Sequence, residues 1–213
     1  MTPKTIFFDL DGTLTDSGEG IINSVCLALE YYNIPIPSRE ELRVFVGPPL
    51  HETFQQFGVP AENADEAVEV FRSRYNTIGK FENTPYPGIR ELLETLKARG
   101  HRLFVATSKP ETTAIEVLEH FDLSRYFEMI CGATLDRSRI DKSDVITYLL
   151  RQAGTVENTV MVGDTAFDVL GAASHSIPTI GVSWGYGAVS DMQDAGAFAI
   201  AHTPEELLAL LEA

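Results

Sequence analysis

The 213-residue chain is 44% hydrophobic and 22% charged, an ordinary globular balance with enough apolar material for a core, which excludes a disordered chain. Its 31 acidic and 16 basic residues give a formal charge of −15 at pH 7, a surface that repels phosphate backbones and anionic lipid, so nucleic acid and membrane are excluded as first choices of partner. Two cysteines, Cys26 and Cys131, make no disulfide framework, no signal peptide is expected in MTPKTIFFDLDG, and no run nears the roughly 18 apolar residues of a membrane helix; the expectation is a soluble cytoplasmic protein.

The first apolar run, TIFF, ends at Asp9 and predicts a strand. Residues 15–83 then carry no strand pattern. Ile22, Val25, Cys26 and Leu29 form one helical stripe, Ala67, Val68, Phe71 and Tyr75 another, with turn signals at IPIPS, GPP and GVP between them. A parallel crossover normally needs one helix, so this stretch reads as an inserted all-helical cap domain. From residue 84 strand and helix alternate. Residues 88–99 place Ile89, Leu92, Leu93 and Leu96 on one helical face, and RLFVAT is a strand ending at Thr107. EMICGA follows as a strand, then a helix over 141–152, capped by Asp141, with Val145, Ile146, Leu149 and Leu150 inward. The runs TVMVG, PTIGVS and AFAIA complete the strands. In the last helix Thr203 caps, Pro204 takes the first turn and Glu206 completes a capping box. The strand runs are continuous rather than alternating, as in strands covered on both faces. The predicted fold is α/β: a doubly wound parallel sheet formed by residues 1–14 and 84–213, with the helical cap at 15–83.

In such a sheet ligands bind beyond the carboxyl ends of the strands. The residues there are Asp9-Leu10-Asp11-Gly12-Thr13, Thr107-Ser108-Lys109 and Gly163-Asp164-Thr165, with Asp168 one turn on and Lys142 opening the helix before the fourth strand. Singly, each aspartate is as readily a turn or capping residue, and a lone lysine is more often a solvated one. Jointly they are a different matter. Carboxylates gathered at one edge repel one another, and a hard divalent cation with oxygen ligands resolves that repulsion. A cation beside a lysine suits an anionic third party, and a phosphate fits.

The segments FFDLDGTLTDS, ATSKP, RIDKSDVI and VGDTAFD, in that order, resemble the four motifs of the haloacid dehalogenase superfamily, and the insertion after the first motif resembles its members with a helical cap. FVGPPL, TSKPE and WGYG are similar to segments of phosphoglycolate phosphatases and 5′-nucleotidases. The resemblance implies a Rossmann-like core and a Mg2+-dependent phosphatase acting on a small phosphorylated metabolite through an aspartyl-phosphate, the chain being a monomer or homodimer. It casts Asp9 as the nucleophile and Asp11 as the acid and base. Mg2+ would be held by Asp9, Asp164 and the Asp11 backbone carbonyl, with Asp168 supporting them. The phosphoryl oxygens would be held by Thr107, Ser108, Lys142 and the backbone near Gly12. Arg43, Gly47, His51 and Lys109 are candidates for substrate specificity, with the loop Phe45–His51 expected to reach the leaving group. Trp184 and Tyr186, after the fifth strand, are expected behind the reacting groups.

Other reaction types are weighed by single residues. Dehalogenases need no aspartate at the position of Asp11, so carbon–halogen hydrolysis is disfavoured. Phosphonate cleavage needs a cap lysine, and Lys80 is the only one between residues 15 and 83. A phosphosugar mutase on the same scaffold is the enzymatic alternative. The non-enzyme alternatives are an aspartate-phosphorylated receiver, which would need its acceptor after the third strand, where Cys131-Gly132-Ala133 stands, and a binding module, which would be expected to have lost Asp9, Asp11 or Lys142.

Overall fold

Thr5–Phe8 (β1) is fully buried, and its alternate side chains enter two separate cores. Ile6 and Phe8 join one cluster, while Phe7 joins another. A strand that is apolar on both faces can only be the middle of a sandwich of helices. In the computed structural model, which describes residues 2–136 and 138–213, the chain divides into two compact units: Met1–Thr15 with Pro85–Ala213, and Asp16–Thr84.

The chain leaves β1 through a tight turn and a two-residue strand, Thr15–Asp16 (β2). The second unit holds Gly18–Tyr31 (α1), Leu50–Gln56 (α2) and Ala64–Tyr75 (α3), joined by short 3-10 turns. Both predicted stripes face inward: Ile22, Val25, Leu29, Ala67, Val68, Phe71 and Tyr75 are buried, and Cys26 is half-buried. Phe45 packs its ring against Phe54 and Phe57, 5.0 and 4.9 Å between centroids. These aromatics form this unit's own core. Gly20 of α1 lies so close to the Gly79 carbonyl that any β-carbon there would collide with backbone, which is why the two segments can touch.

Thr84–Pro85 (β3) pairs with β2 as a two-stranded ribbon. The first unit continues with Ile89–Ala98 (α4), Arg102–Pro110 (β4), Glu111–His120 (α5), Met129–Ala133 (β5), Lys142–Ala153 (α6) and Thr159–Gly163 (β6). Ala166–Ala173 (α7), Thr179–Val182 (β7), Val189–Asp194 (α8), Ala199–Ala201 (β8) and Pro204–Glu212 (α9) complete it. The six-stranded sheet has the order β5-β4-β1-β6-β7-β8, with parallel pairing throughout. The doubly wound α/β expectation is met. Helices α4, α5 and α9 supply Leu93, Val117 and Leu207 to one face, and α6 and α7 supply Ile146 and Ala172 to the other.

Three details depart from the sequence reading. Strand β4 does not stop at Thr107 but runs to Pro110, with its register against β5 shifting between Ala106 and Pro110, where β4 advances four residues to two of β5; the extra residues of such a bulged irregularity read as turn chemistry in a sequence. Thr203 caps α9 by accepting from the Glu206 N–H, but the Glu206 carboxylate accepts from His202 N at 2.7 Å, so the expected box does not close. Helix α8 carries too few apolar residues to announce itself. Asp141 caps α6 as expected, accepting from Asp144 N at 2.9 Å. Among the described residues, no helix is long and apolar enough to cross a membrane.

Candidate active site

The strand order reverses direction at β1, which has β4 on one side and β6 on the other. Ligands bind at such a switch point because the connecting loops diverge there and leave a crevice. Asp9 stands one residue beyond β1, its N–H donating to the Val162 carbonyl at 2.9 Å, and Asp164 stands one residue beyond β6. The ladder therefore fixes both backbones before any side chain contributes.

After Asp9 the chain turns sharply. The N–H groups of Thr13, Leu14 and Thr15 all donate to the Leu10 carbonyl, at 3.2, 2.9 and 3.1 Å. Gly12 takes a φ of +86° in this turn, and a β-carbon on it would strike the Asp164 carboxylate. Glycine is required there on both counts. Thr13 donates its hydroxyl to Asp164 at 3.2 Å.

Asp9, Asp164 and Asp168 bring one carboxylate oxygen each to within 4.8 Å of one another, with 8%, 0% and 1% of their surfaces exposed. Lys142, at the first turn of α6, donates to Asp9 at 2.6 Å and to the Ala106 carbonyl at 2.8 Å. It also lies 2.8 Å from an Asp168 oxygen, off the line of a hydrogen bond. The other Asp168 oxygen accepts from Thr165 N–H and hydroxyl at 3.1 and 2.8 Å, pinning the start of α7.

Burial pushes the Asp9 carboxyl up to about 6, with Asp168 and Asp11 adding to the rise and Lys142 opposing it. Asp164 is raised well above the ordinary carboxylate range by burial and by the other two aspartates. Burial works against the Lys142 charge, yet Asp168 and Asp9 together raise its pKa above the ordinary lysine value. Three carboxylates share one ammonium. A divalent cation fits the surplus: it takes oxygen ligands, and a cluster of buried acids with raised pKa values is what it would relieve.

Lys109 reaches the fourth aspartate, donating to both oxygens of Asp11 at 3.0 and 2.7 Å. Thr107 is buried, and its hydroxyl accepts from Lys109 N at 3.2 Å. Ser108 lies half-buried between them. Asp9, Lys142, Asp164 and Asp168 thus form one cluster, and Asp11, Thr107 and Lys109 a second set of contacts, both in the first unit. Arg43, Gly47 and His51 belong to the second unit and have local explanations there. Arg43 pairs with Glu40 at 4.0 Å, His51 Nε2 with Asp65 at 2.7 Å, and Gly47 has a φ of +105°.

Sequence reasoning placed Thr13 and Tyr186 near the site without anticipating their bonds to Asp164, and it did not single out Arg139. Tyr186 N–H donates directly to Asp164 at 2.8 Å, and neither Gly185 nor Gly187 leaves room for a β-carbon beside Asp164. Trp184 donates its indole N–H to the Thr13 carbonyl at 3.1 Å. The glycine spacing in SWGYGA was the available signal; Arg139 had none.

Residues 6–182 match the family model of haloacid dehalogenase-like hydrolases. A tyrosine-protein kinase, PtkA of Mycobacterium tuberculosis, is 43% identical over 94% of this chain and 69% of its own length. A 5′-nucleotidase of Pseudomonas aeruginosa is 42% identical over 98% of this chain and 92% of its own. The crystal structure of a predicted phosphatase from Clostridium acetobutylicum superposes with a TM-score of 0.94 at 39% identity, covering 100% of both chains. With that much of its length matched, the chain belongs to the haloacid dehalogenase-like hydrolases.

Proposed function

We propose that the chain is a Mg2+-dependent phosphatase that hydrolyses a small phosphomonoester through an aspartyl-phosphate on Asp9, with a nucleoside 5′-monophosphate as its favoured substrate class. The observation that carries this reading is the Asp9 carboxylate at the sheet's switch point, 2.6 Å from Lys142 and two residues before Asp11. The substrate class leans on the 5′-nucleotidase relative, which matches nearly end to end; phosphoglycolate is the alternative.

An Asp9 oxygen attacks phosphorus, and the bond from phosphorus to the ester oxygen breaks. That leaving oxygen takes a proton from Asp11. Water then attacks the phosphorus, giving a proton to Asp11, and the bond to Asp9 breaks to release inorganic phosphate and restore the carboxylate. Lys142 holds a phosphoryl oxygen and keeps Asp9 oriented, while Thr107, Ser108 and the backbone near Gly12 supply further donors. Asp9, Asp164 and the Asp11 carbonyl would hold Mg2+, with Asp168 and Thr13 fixing the carboxylates behind it. When bound, the cation supplies the positive charge that lets a carboxylate approach a phosphate dianion.

A second reading is favoured by the kinase relative: the phosphoryl group passes from a nucleotide to a tyrosine hydroxyl rather than to water. The test is a panel of nucleoside 5′-monophosphates, phosphoglycolate, 4-nitrophenyl phosphate and γ-labelled ATP with a tyrosine peptide, at fixed Mg2+. Phosphate release that ends in excess chelator and in Asp9→Asn is expected, with the highest kcat/KM on the nucleotides. Full release in either condition refutes the proposal, and labelled peptide without phosphate release establishes the second reading.

A further inference from the structure

The mechanism gives Lys142 a role of its own and gives Lys109 none, yet Lys109 is buried as deeply. Both lysine side chains are 4% exposed, and each grips one aspartate of the Asp9-Leu10-Asp11 pair, Lys142 on Asp9 and Lys109 on Asp11. The fold goes to some length to hold Lys109 there. The bulge in β4 falls across residues 107–109. Gly132 on the neighbouring strand sits so close to the Lys109 carbonyl and the Glu111 backbone that a β-carbon would collide with both. Glu111 accepts from Gly132 N at 3.2 Å and from Arg139 at 2.6 Å. Arg139 also donates to the Gly132 carbonyl at 2.6 Å and lies over the Tyr148 ring, 3.9 Å from its centroid. The segment carrying Lys109 is therefore braced by Glu111 of α5, Gly132 of β5 and Arg139 between β5 and α6, with Tyr148 of α6 beneath Arg139. A lysine serving only as a loose contact for substrate would need no such brace.

We propose that Lys109 is a positioning residue for Asp11: it holds the Asp11 carboxylate by both oxygens, at 2.7 and 3.0 Å, in the orientation from which it serves the leaving oxygen and the hydrolytic water. This rests on the role given to Asp11 above. A freely rotating aspartate would spend most of its time turned away, and an error of about 1 Å in a reacting group can cost on the order of 10²-fold.

The test compares an alkyl phosphate, whose leaving oxygen needs a proton, with 4-nitrophenyl phosphate, whose leaving group does not. Under Lys109→Met, kcat/KM should fall on the order of 10²-fold for the alkyl ester and stay within a few-fold for the aryl ester. The aryl reaction should show a burst of nitrophenolate followed by a lower kcat, because phosphorylation of Asp9 proceeds while its hydrolysis lacks a well-placed base. Lys109→Arg should recover part of the alkyl loss, and Lys109→Met added to Asp11→Asn should cost nothing more. If Lys109→Met does not fold by circular dichroism, Lys109→Arg carries the same alkyl-to-aryl comparison on its own, with the same direction expected. Equal losses on both esters, or a further loss in the double variant, overturn the assignment. So does a rise confined to KM for substrates bearing a second anionic group, which would make Lys109 a substrate contact. Wild-type turnover that depends on Asp9, measured in the same assays, keeps the phosphatase reading separate from this one.

Discussion

Replacing Asp9 by asparagine is expected to abolish hydrolysis and, in chelator, to stabilise the fold. Burial raises the Asp9 carboxyl from 3.8 to about 6. At about 1.36 kcal/mol per pH unit, the ionised group then costs the folded chain at most about 3 kcal/mol at neutral pH. With only 8% of Asp9 exposed, solvent screening takes little from that figure. Asparagine keeps the shape and removes the charge. Lys142 loses one partner but retains Asp168 and the Ala106 carbonyl, each at 2.8 Å, so the net gain should be about 1–2 kcal/mol. The sign with pH follows from the direction of the shift. A carboxyl whose folded pKa lies above its unfolded one holds its proton more tightly in the folded chain, so the penalty is absent below about pH 4 and complete above about pH 6. Urea unfolding of both proteins in EDTA should show the variant ahead at pH 7.5 and the gap closing toward pH 4. Added Mg2+ should stabilise the wild type more than the variant. A variant less stable than the wild type at pH 7.5 in EDTA, or a gap that widens on acidification, refutes the account of Asp9 as an acid held at a cost.

Asp11→Asn should lower kcat/KM for alkyl phosphates by about 10² to 10⁴-fold and for 4-nitrophenyl phosphate far less, as a comparison of the two esters under single-turnover conditions will read. Gly185→Ala drives a β-carbon into the Asp164 carboxylate, and a titration of activity against Mg2+ should need about 10 to 100-fold more metal, since partners that orient a ligand are worth that much. His101 is buried and accepts from Lys4 N at 3.0 Å; burial lowers its pKa from 6.5, so its contribution to stability is present at neutral pH and is lost as the pH falls through and below the ordinary histidine range. The unfolding midpoint of the wild type should therefore drop more steeply from pH 7 to pH 5 than that of His101→Asn.

The sheet was legible because a strand buried on both faces has no choice of composition. TIFF, RLFVAT and TVMVG are apolar at consecutive positions, and each is a parallel strand of the first unit. The acidic site was legible for a related reason: a carboxylate directly after such a run must sit at the strand's end, and three of them cannot share an edge unaided. What the one-dimensional pattern lacked was anything set by backbone irregularity. The β4 bulge, the Thr165–Asp168 bonds at the start of α7 and the open box at His202–Glu206 all involve polar residues whose partners are chosen by a local departure from regular geometry.

The two lysines make that division concrete. Lys142 opens a helix with Asp141 as its cap, so its place at the strand ends follows from the cap and the helical period. Lys109 follows a strand by the same apparent logic, and on sequence alone it stands as a candidate for touching substrate. Its partner is decided by the bulge, by a glycine on the next strand and by an arginine some thirty residues further along the chain. Each of those is individually unremarkable in the sequence. A long charged side chain reports where its head can reach only after the backbone beneath it is fixed, and here that backbone directs it to the carboxylate two residues beyond Asp9. The clustered aspartates are thus read from strand ends, while the groups that hold them are read from strand irregularities, which a pattern of apolar and polar letters does not encode.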